Sequence, residues 1–127
     1  MRHPIFAGLQ PPGIMDWDYY GQVIPLQVFD GQETPDDIAA VYLTTGYASQ
    51  TELVKSGYTS GLLCGSYSFG HGRFVINTMR ILEHLGSHPA ADRLLLNMIT
   101  YAASLTKGGQ AMLPDDFEAQ LQAIGYH

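Results

Sequence analysis

The stretch Tyr58–Thr78, YTSGLLCGSYSFGHGRFVINT, decides the fold. It holds two strand-type runs, Tyr58 to Phe69 and Arg73 to Thr78, joined by Phe69-Gly70-His71-Gly72-Arg73. Glycines supply positive φ, so the pattern predicts a tight antiparallel hairpin. Working upstream, Ala39 to Thr45 (AAVYLTT) is an apolar, β-rich run that predicts a central strand. Val23 to Phe29 predicts one more strand, with Pro25 favouring an edge or a strand start. The connections are polar: Asp30 to Asp37, and Ala48 to Gly57. Residues 3–21, broken by Pro4, Gly8, Pro11, Pro12, Gly13 and Gly21, read as loop and short turns.

Downstream the period changes. Between Ala90 and Leu105 the apolar residues Ala91, Leu94, Leu95, Met98, Ile99, Ala102 and Leu105 form the stripe of an amphipathic helix. Pro89 suits its first turn, Ser87 or His88 its cap, and Asp92 its positive end. Gly108 and Gly109 end it. A short helix follows from about Asp115 to Ile124, with Gly125 behind it. About four strands followed by helices predict an α+β or incomplete α/β layer. The long helix covers one face of such a sheet. Val41, Leu43, Leu62, Val75 and Ile76 predict that the other face is apolar too and needs a cover.

The chain has 127 residues and 13.9 kDa, the size of one domain. A chain of that mass buries about two-thirds of its surface, enough for a core without disulfides or metal. Hydrophobic residues make up 46%, which excludes a disordered chain, while charged residues are only 14%, well below the usual quarter. The formal charge is −6, and the six cations, Arg2, Lys55, Arg73, Arg80, Arg93 and Lys107, are scattered. Nucleic acid and anionic membrane are therefore excluded as main partners. A single cysteine, Cys64, excludes an internal disulfide framework. No apolar run approaches the ~20 residues of a membrane span, and the start lacks a signal-peptide core. The compartment is not legible.

The segment Gly70–Ala103, GHGRFVINTMRILEHLGSHPAADRLLLNMITYAA, resembles the end of the amidotransferase-like α/β domains of bacterial family-2-type glycoside hydrolases, the β-galactosidase-like proteins. In them a G-K-G-R turn and a strand lead to an H-P-x-A-D-R-L-L-x-N helix. The opening, HPIFAGLQPPGIMDWDYYGQVIP (residues 3–25), resembles an earlier segment of the same domains. The resemblance implies a flavodoxin-like, class I glutamine-amidotransferase-like layer, of which this chain matches the C-terminal half. It divides the single domain 1–127 into an amidotransferase-like part, 1–106, and a helical extension, 107–127. The elbow that carries the amidotransferase nucleophile has no counterpart here, and neither does the glycosidase barrel. No residue inherits a catalytic role.

The residues themselves point the same way. A nucleophile elbow needs glycine two residues to either side. Around Cys64 those positions are Leu62 and Ser66, so Cys64 reads as a buried structural thiol. Ser66 and Ser68 lack the elbow and a nearby base. His84, His88 and Asp92 are spaced by four, the spacing of a metal-binding helix face, but Gly86 and Pro89 interrupt such a helix. The two histidines read as structural or surface groups, and no metal or cofactor is expected. Gly70-His71-Gly72-Arg73 reads as a plain turn, with Arg73 and Arg93 available to pair with acids. The best candidate ligand surface is Met15–Tyr20, with Asp16, Trp17, Asp18, Tyr19 and Tyr20. Flat rings cover the apolar face of a sugar while carboxylates accept from its hydroxyls. The simpler reading anchors the rings in the core, and then Trp17→Ala costs roughly 3–5 kcal/mol.

Two functional expectations follow. The first is a non-catalytic accessory or interaction module of a carbohydrate-active enzyme, with carbohydrate as an open partner. The alternative is part of a hydrolase whose site lies in another domain or is assembled across subunits. An uncovered apolar face and an open sheet edge predict a homo-oligomer, a dimer first. The competing cover is the C-terminal extension, folded back through Phe117, Leu121 and Ile124.

Overall fold

In the computed structural model, residues 3–10, 14–49, 54–105 and 112–126 are described. They form a mixed α/β unit with one antiparallel three-stranded sheet and two helices. The strands are β1 (Asp37–Ser49), β2 (Val54–Phe69) and β3 (Gly72–Asn77), in the order β1-β2-β3. The helices are α1 (Pro89–Leu105) and α2 (Phe117–Ala123). Short 3₁₀ turns lie at Pro4–Phe6, Gly21–Val23 and Leu82–His84.

The hairpin at 69–72 forms as expected, with Phe69 opposite Gly72 and Gly70 at φ +54°. Gly72 is not in the positive-φ region, because it already belongs to β3. A second, longer hairpin joins β1 to β2, and it corrects three expectations. Residues 48, 49 and 54–57 belong to the strands, not to a polar connection. The run Ala39–Thr45 lies in an edge strand, and β2 is the central one. Val23–Phe29 is not a strand: its first residue closes a 3₁₀ turn, and only Phe29 pairs, through a two-bond bridge to Leu62. Three strands therefore replace four. A flavodoxin-like layer has no parallel strand among the described residues.

Gly61 explains how residues 28–29 reach the sheet. A β-carbon built there would lie 2.5 Å from Val28 Cγ2 and 3.1 Å from the Phe29 carbonyl oxygen. Only glycine lets the chain approach this closely.

The core lies between the base of the sheet and α1. Ile5, Tyr20, Val23, Cys64, Met79, Ile81, Ala90, Ala91 and Leu94 are buried together. Full burial of a side chain the size of Leu94 stabilises by about 1.5–3 kcal/mol. α1 starts after His88, whose Nδ1 accepts from the Ala90 N–H at 3.2 Å. Asp92 Oδ1 reaches back to accept from the Gly86 N–H at 2.8 Å. The buried stripe is Ala91, Leu94 and Tyr101, flanked by Leu95, Met98 and Leu105. Ile99 and Ala102 were expected on it and are exposed, whereas Tyr101 was not counted and is buried. The stripe is narrower than expected because α1 rests mainly on the N-terminal turn and β3 rather than on a broad sheet face. Gly108 and Gly109, expected to end α1, lie outside the described residues, as do Pro11, Pro12 and Gly13.

The N-terminal turn is held to α1 from far along the chain. Asn97 Nδ2 donates to the carbonyls of Ile5 and Ala7, both at 2.9 Å. The C-terminal tail touches the opposite face only at its edge. Phe117 packs edge-on against Phe69, at 5.4 Å between centroids, and Leu113 lies over Gly70. Ile124 stays in solvent, so α2 does not cover the sheet. Beyond the base, β1 and β2 continue as a two-stranded ribbon whose Val41, Leu43 and Tyr58 are exposed.

Gly61→Ala is expected to destabilise the chain by about 1–3 kcal/mol, the usual range for overpacking. Val28→Ala removes Cγ2, the nearest atom the new methyl would strike, but keeps Cβ at 2.8 Å, so it should recover only part of the loss. Denaturant titrations of the single and double variants measure both effects.

Candidate functional site

The aromatic and acidic segment does not form one surface. Asp16 Oδ1 accepts from the Tyr19 N–H at 2.7 Å, and the Tyr20 N–H donates to the Asp16 carbonyl at 3.0 Å. This turn sorts the side chains. Tyr20 points into the core and is 1% exposed, and Tyr19 packs edge-on against it at 5.0 Å. Trp17 is 72% exposed, and Asp18 is exposed beside it in sequence. The expectation that the Trp17 ring anchors the loop is overturned: Tyr20 is the anchor. Trp17 and Asp18 remain as accessible candidate ligand residues, while Asp16 is occupied in holding the turn.

His84 and His88 are not on one helix. His84 closes the turn Leu82–His84, and His88 precedes α1 and caps it. Asp92, the third member of the spacing, is engaged by Gly86. Among the described residues no group of three or more His, Cys, Asp or Glu side chains is placed to hold a metal ion. Arg73 and Arg93 form no ion pair among the described residues, where Arg80 pairs with Glu83 at 2.5 Å. Arg73 acts on Asp36 only at longer range.

A polar cluster that no local spacing announces lies where β1, β2, α1 and the N-terminal turn meet. Tyr101 donates to the Asp37 carboxylate. His3 Nε2 lies 3.0 Å from the same oxygen, and its ring packs edge-on against Tyr101 at 4.7 Å. Ser66 Oγ, buried, is 3.4 Å from the Tyr101 hydroxyl. Serine, histidine and aspartate thus stand close together, yet not as a catalytic triad. The Ile5 N–H donates to His3 Nδ1 at 3.3 Å, so the neutral ring carries its proton on Nε2 and gives it to Asp37. Neither nitrogen is left to take a proton from Ser66, which bonds to a phenol instead. Cys64 is fully buried in the same core, and burial pushes its thiol up to about 11. It stays a thiol at neutral pH.

Electrostatically the cluster holds Asp37 ionised. The Tyr101 hydrogen bond keeps its carboxyl below the ordinary carboxylate range, with His3 helping and partial burial opposing. Burial first, then the bond to Asp37, raises the Tyr101 hydroxyl. An open depression of about 270 Å³ lies elsewhere, between residues 29–35 and the ribbon, lined by Pro35, Ile38, Val41 and Leu62 among others. No histidine, cysteine, lysine or arginine lines it.

A carboxyl whose pKa is lower in the folded than in the unfolded state adds stability above the unfolded value. That increment is lost as pH falls through the folded value. The increment from Asp37 is therefore complete above about pH 4 and fades below it. Asp37→Asn should lower the melting temperature at pH 7 and flatten the acid limb of the stability curve below about pH 4. Thermal melts from pH 2 to 7 on both proteins check the sign.

Compared with known proteins, the chain matches no family model, no curated protein and no solved structure.

Proposed function

We propose that this chain is a non-catalytic interaction module. The observation that carries the reading is the β1–β2 ribbon, which holds Val41, Leu43 and Tyr58 in solvent. Scattered apolar residues on a surface are ordinary, but a projecting ribbon of them suits a partner. The reading is supported further by the chemistry of the described residues. The cluster at Asp37 uses the His3 ring, the Tyr101 and Ser66 hydroxyls and one Asp37 oxygen to hold the fold, and Cys64 is buried. The resemblance to the C-terminal half of an amidotransferase-like domain from carbohydrate-active enzymes fits such an accessory role. In that case the parallel strands of a flavodoxin-like layer belong to another segment.

The purified chain should show no turnover of aryl glycosides or glutamine. Activity that persists through repurification and vanishes in Asp37→Asn or Cys64→Ala would sink this reading.

A second reading, carbohydrate binding, is favoured by the free ring of Trp17 with Asp18 next to it. Trp17 is the single tryptophan, so its fluorescence reports contact directly. Titration with neutral oligosaccharides should shift the emission. Trp17→Ala should abolish the heat of binding while leaving the melting temperature within about a degree, as for surface substitutions generally. A flat titration, or a large loss of stability, counts against it.

A further inference from the structure

β1 is an edge strand, and from Ile38 to Ser49 (IAAVYLTTGYAS) it contains no charged residue and no proline. Natural edge strands are normally protected by charges, prolines, bulges or a covering element. Here the irregularity of register falls between Ile38 and Val41, at the base, and leaves the ribbon beyond it regular. Among the described residues, no segment pairs with the outer edge of β1. Val41 pairs with Leu62, Leu43 with Ser60 and Thr45 with Tyr58, so Val41, Leu43 and Tyr58 share one face. Leu43 is 64% exposed and Tyr58 77%.

The surface area points the same way. The chain exposes 9500 Å², whereas a compact monomer of 13.9 kDa exposes about 6,700 Å². Part of that excess, roughly 2,800 Å² in all, lies on the ribbon, where Val41, Tyr42, Leu43 and Tyr58 are exposed.

Building on the interaction-module reading, we propose that the occupant of this edge is a second copy of the chain. Its β1 pairs antiparallel with the first across a two-fold axis within Val41–Thr45, making one six-stranded sheet. An antiparallel pair of identical strands is two-fold symmetric, so the edge complements itself. The lack of charge fits this partner in particular. Near a two-fold axis each residue meets itself or a close neighbour, and any charge there would face its own sign. The chain carries −6 overall, yet Ile38–Ser49 carries none of it. The pairing satisfies the outward N–H and C=O groups of both edges. It also brings Val41 and Leu43 of each copy together on one face.

Light scattering at micromolar concentration should give a mass of about 28 kDa, twice the 13.9 kDa of the chain. Leu43→Lys and Tyr42→Lys place like charges beside the axis and should return the mass to about 14 kDa with an unchanged far-ultraviolet spectrum. Both positions are exposed in the single chain, so its own packing is not disturbed. Single cysteines at Val41, Tyr42, Leu43 and Thr44 locate the axis. At least one should give a disulfide-linked dimer under mild oxidation, because a disulfide needs Cα atoms within about 7 Å. Cysteines at Thr59 and Ser60 on β2 should give none, lying roughly 14 Å from their copies across three strand spacings. A wild-type mass near 14 kDa overturns the proposal. So does a dimer that tolerates both lysines, or one that cross-links from β2 and not from β1. The non-catalytic reading falls only on turnover, so the two fail separately.

Discussion

Asp37 accepts hydrogen bonds from Tyr101 and His3 at the point where the first strand leaves the core. Three parts of the chain, distant in sequence, are fastened there: the N-terminal turn, β1 and the last turns of α1. Ser66 on the central strand closes the arrangement through the Tyr101 hydroxyl. Apolar packing of α1 with Ile5, Tyr20, Val23, Cys64, Met79 and Ile81 supplies the bulk of the stabilisation, because burial of apolar area is the dominant favourable term. Packing alone does not choose a unique seat for a short turn. Directional bonds to a carboxylate do, and charge assistance makes them stronger than neutral ones. The Asn97 amide, which holds the Ile5 and Ala7 carbonyls, repeats the device one helical turn earlier.

The elements whose signal is local were legible in the sequence. The spacing of Leu94, Leu95, Met98 and Leu105 marks α1 without reference to any partner, and Gly70-His71 marks a turn because the backbone there needs glycine. Signals that depend on a partner were not. Val23–Phe29 has strand-like composition, but whether it pairs is decided by the neighbouring edge, where β3 takes Cys64–Phe69 of β2 and Phe29 alone bridges to Leu62. Tyr101 was missed because a stripe counted in apolar residues passes over a phenol that is buried by its bonds. Trp17 and Tyr20 stand three residues apart in one segment, and the Asp16 turn alone decides which ring faces inward. The cluster at residues 3, 37, 66 and 101 has no spacing to read. It exists only once the chain has folded.

The two hairpins divide the labour on one strand. The C-terminal part of β2 is flanked by β1 and β3 and lies under α1, so Leu62 to Ser66 are buried. Its N-terminal part has β1 alone as a neighbour, and Tyr58 to Ser60 are exposed. The change comes at Gly61 and Leu62, where Val28 and Phe29 close the base. A single strand thus runs from a solvent-exposed ribbon into a packed core. Any force applied to the ribbon reaches the core through that strand and through β1, which Asp37 ties to Tyr101 and His3.

The long reach of the Asn97 and Tyr101 contacts also orders events in time. The hairpins β1–β2 and β2–β3 join near neighbours, and such elements form within microseconds. The N-terminal turn must wait for a helix some 90 residues further along, and distant closures carry a larger entropic cost before contacts reward them. On a growing chain the ribbon, with its uncharged β1 edge, is therefore made before the core beneath it can shut. During that interval its apolar face and unpaired edge are most vulnerable to aggregation.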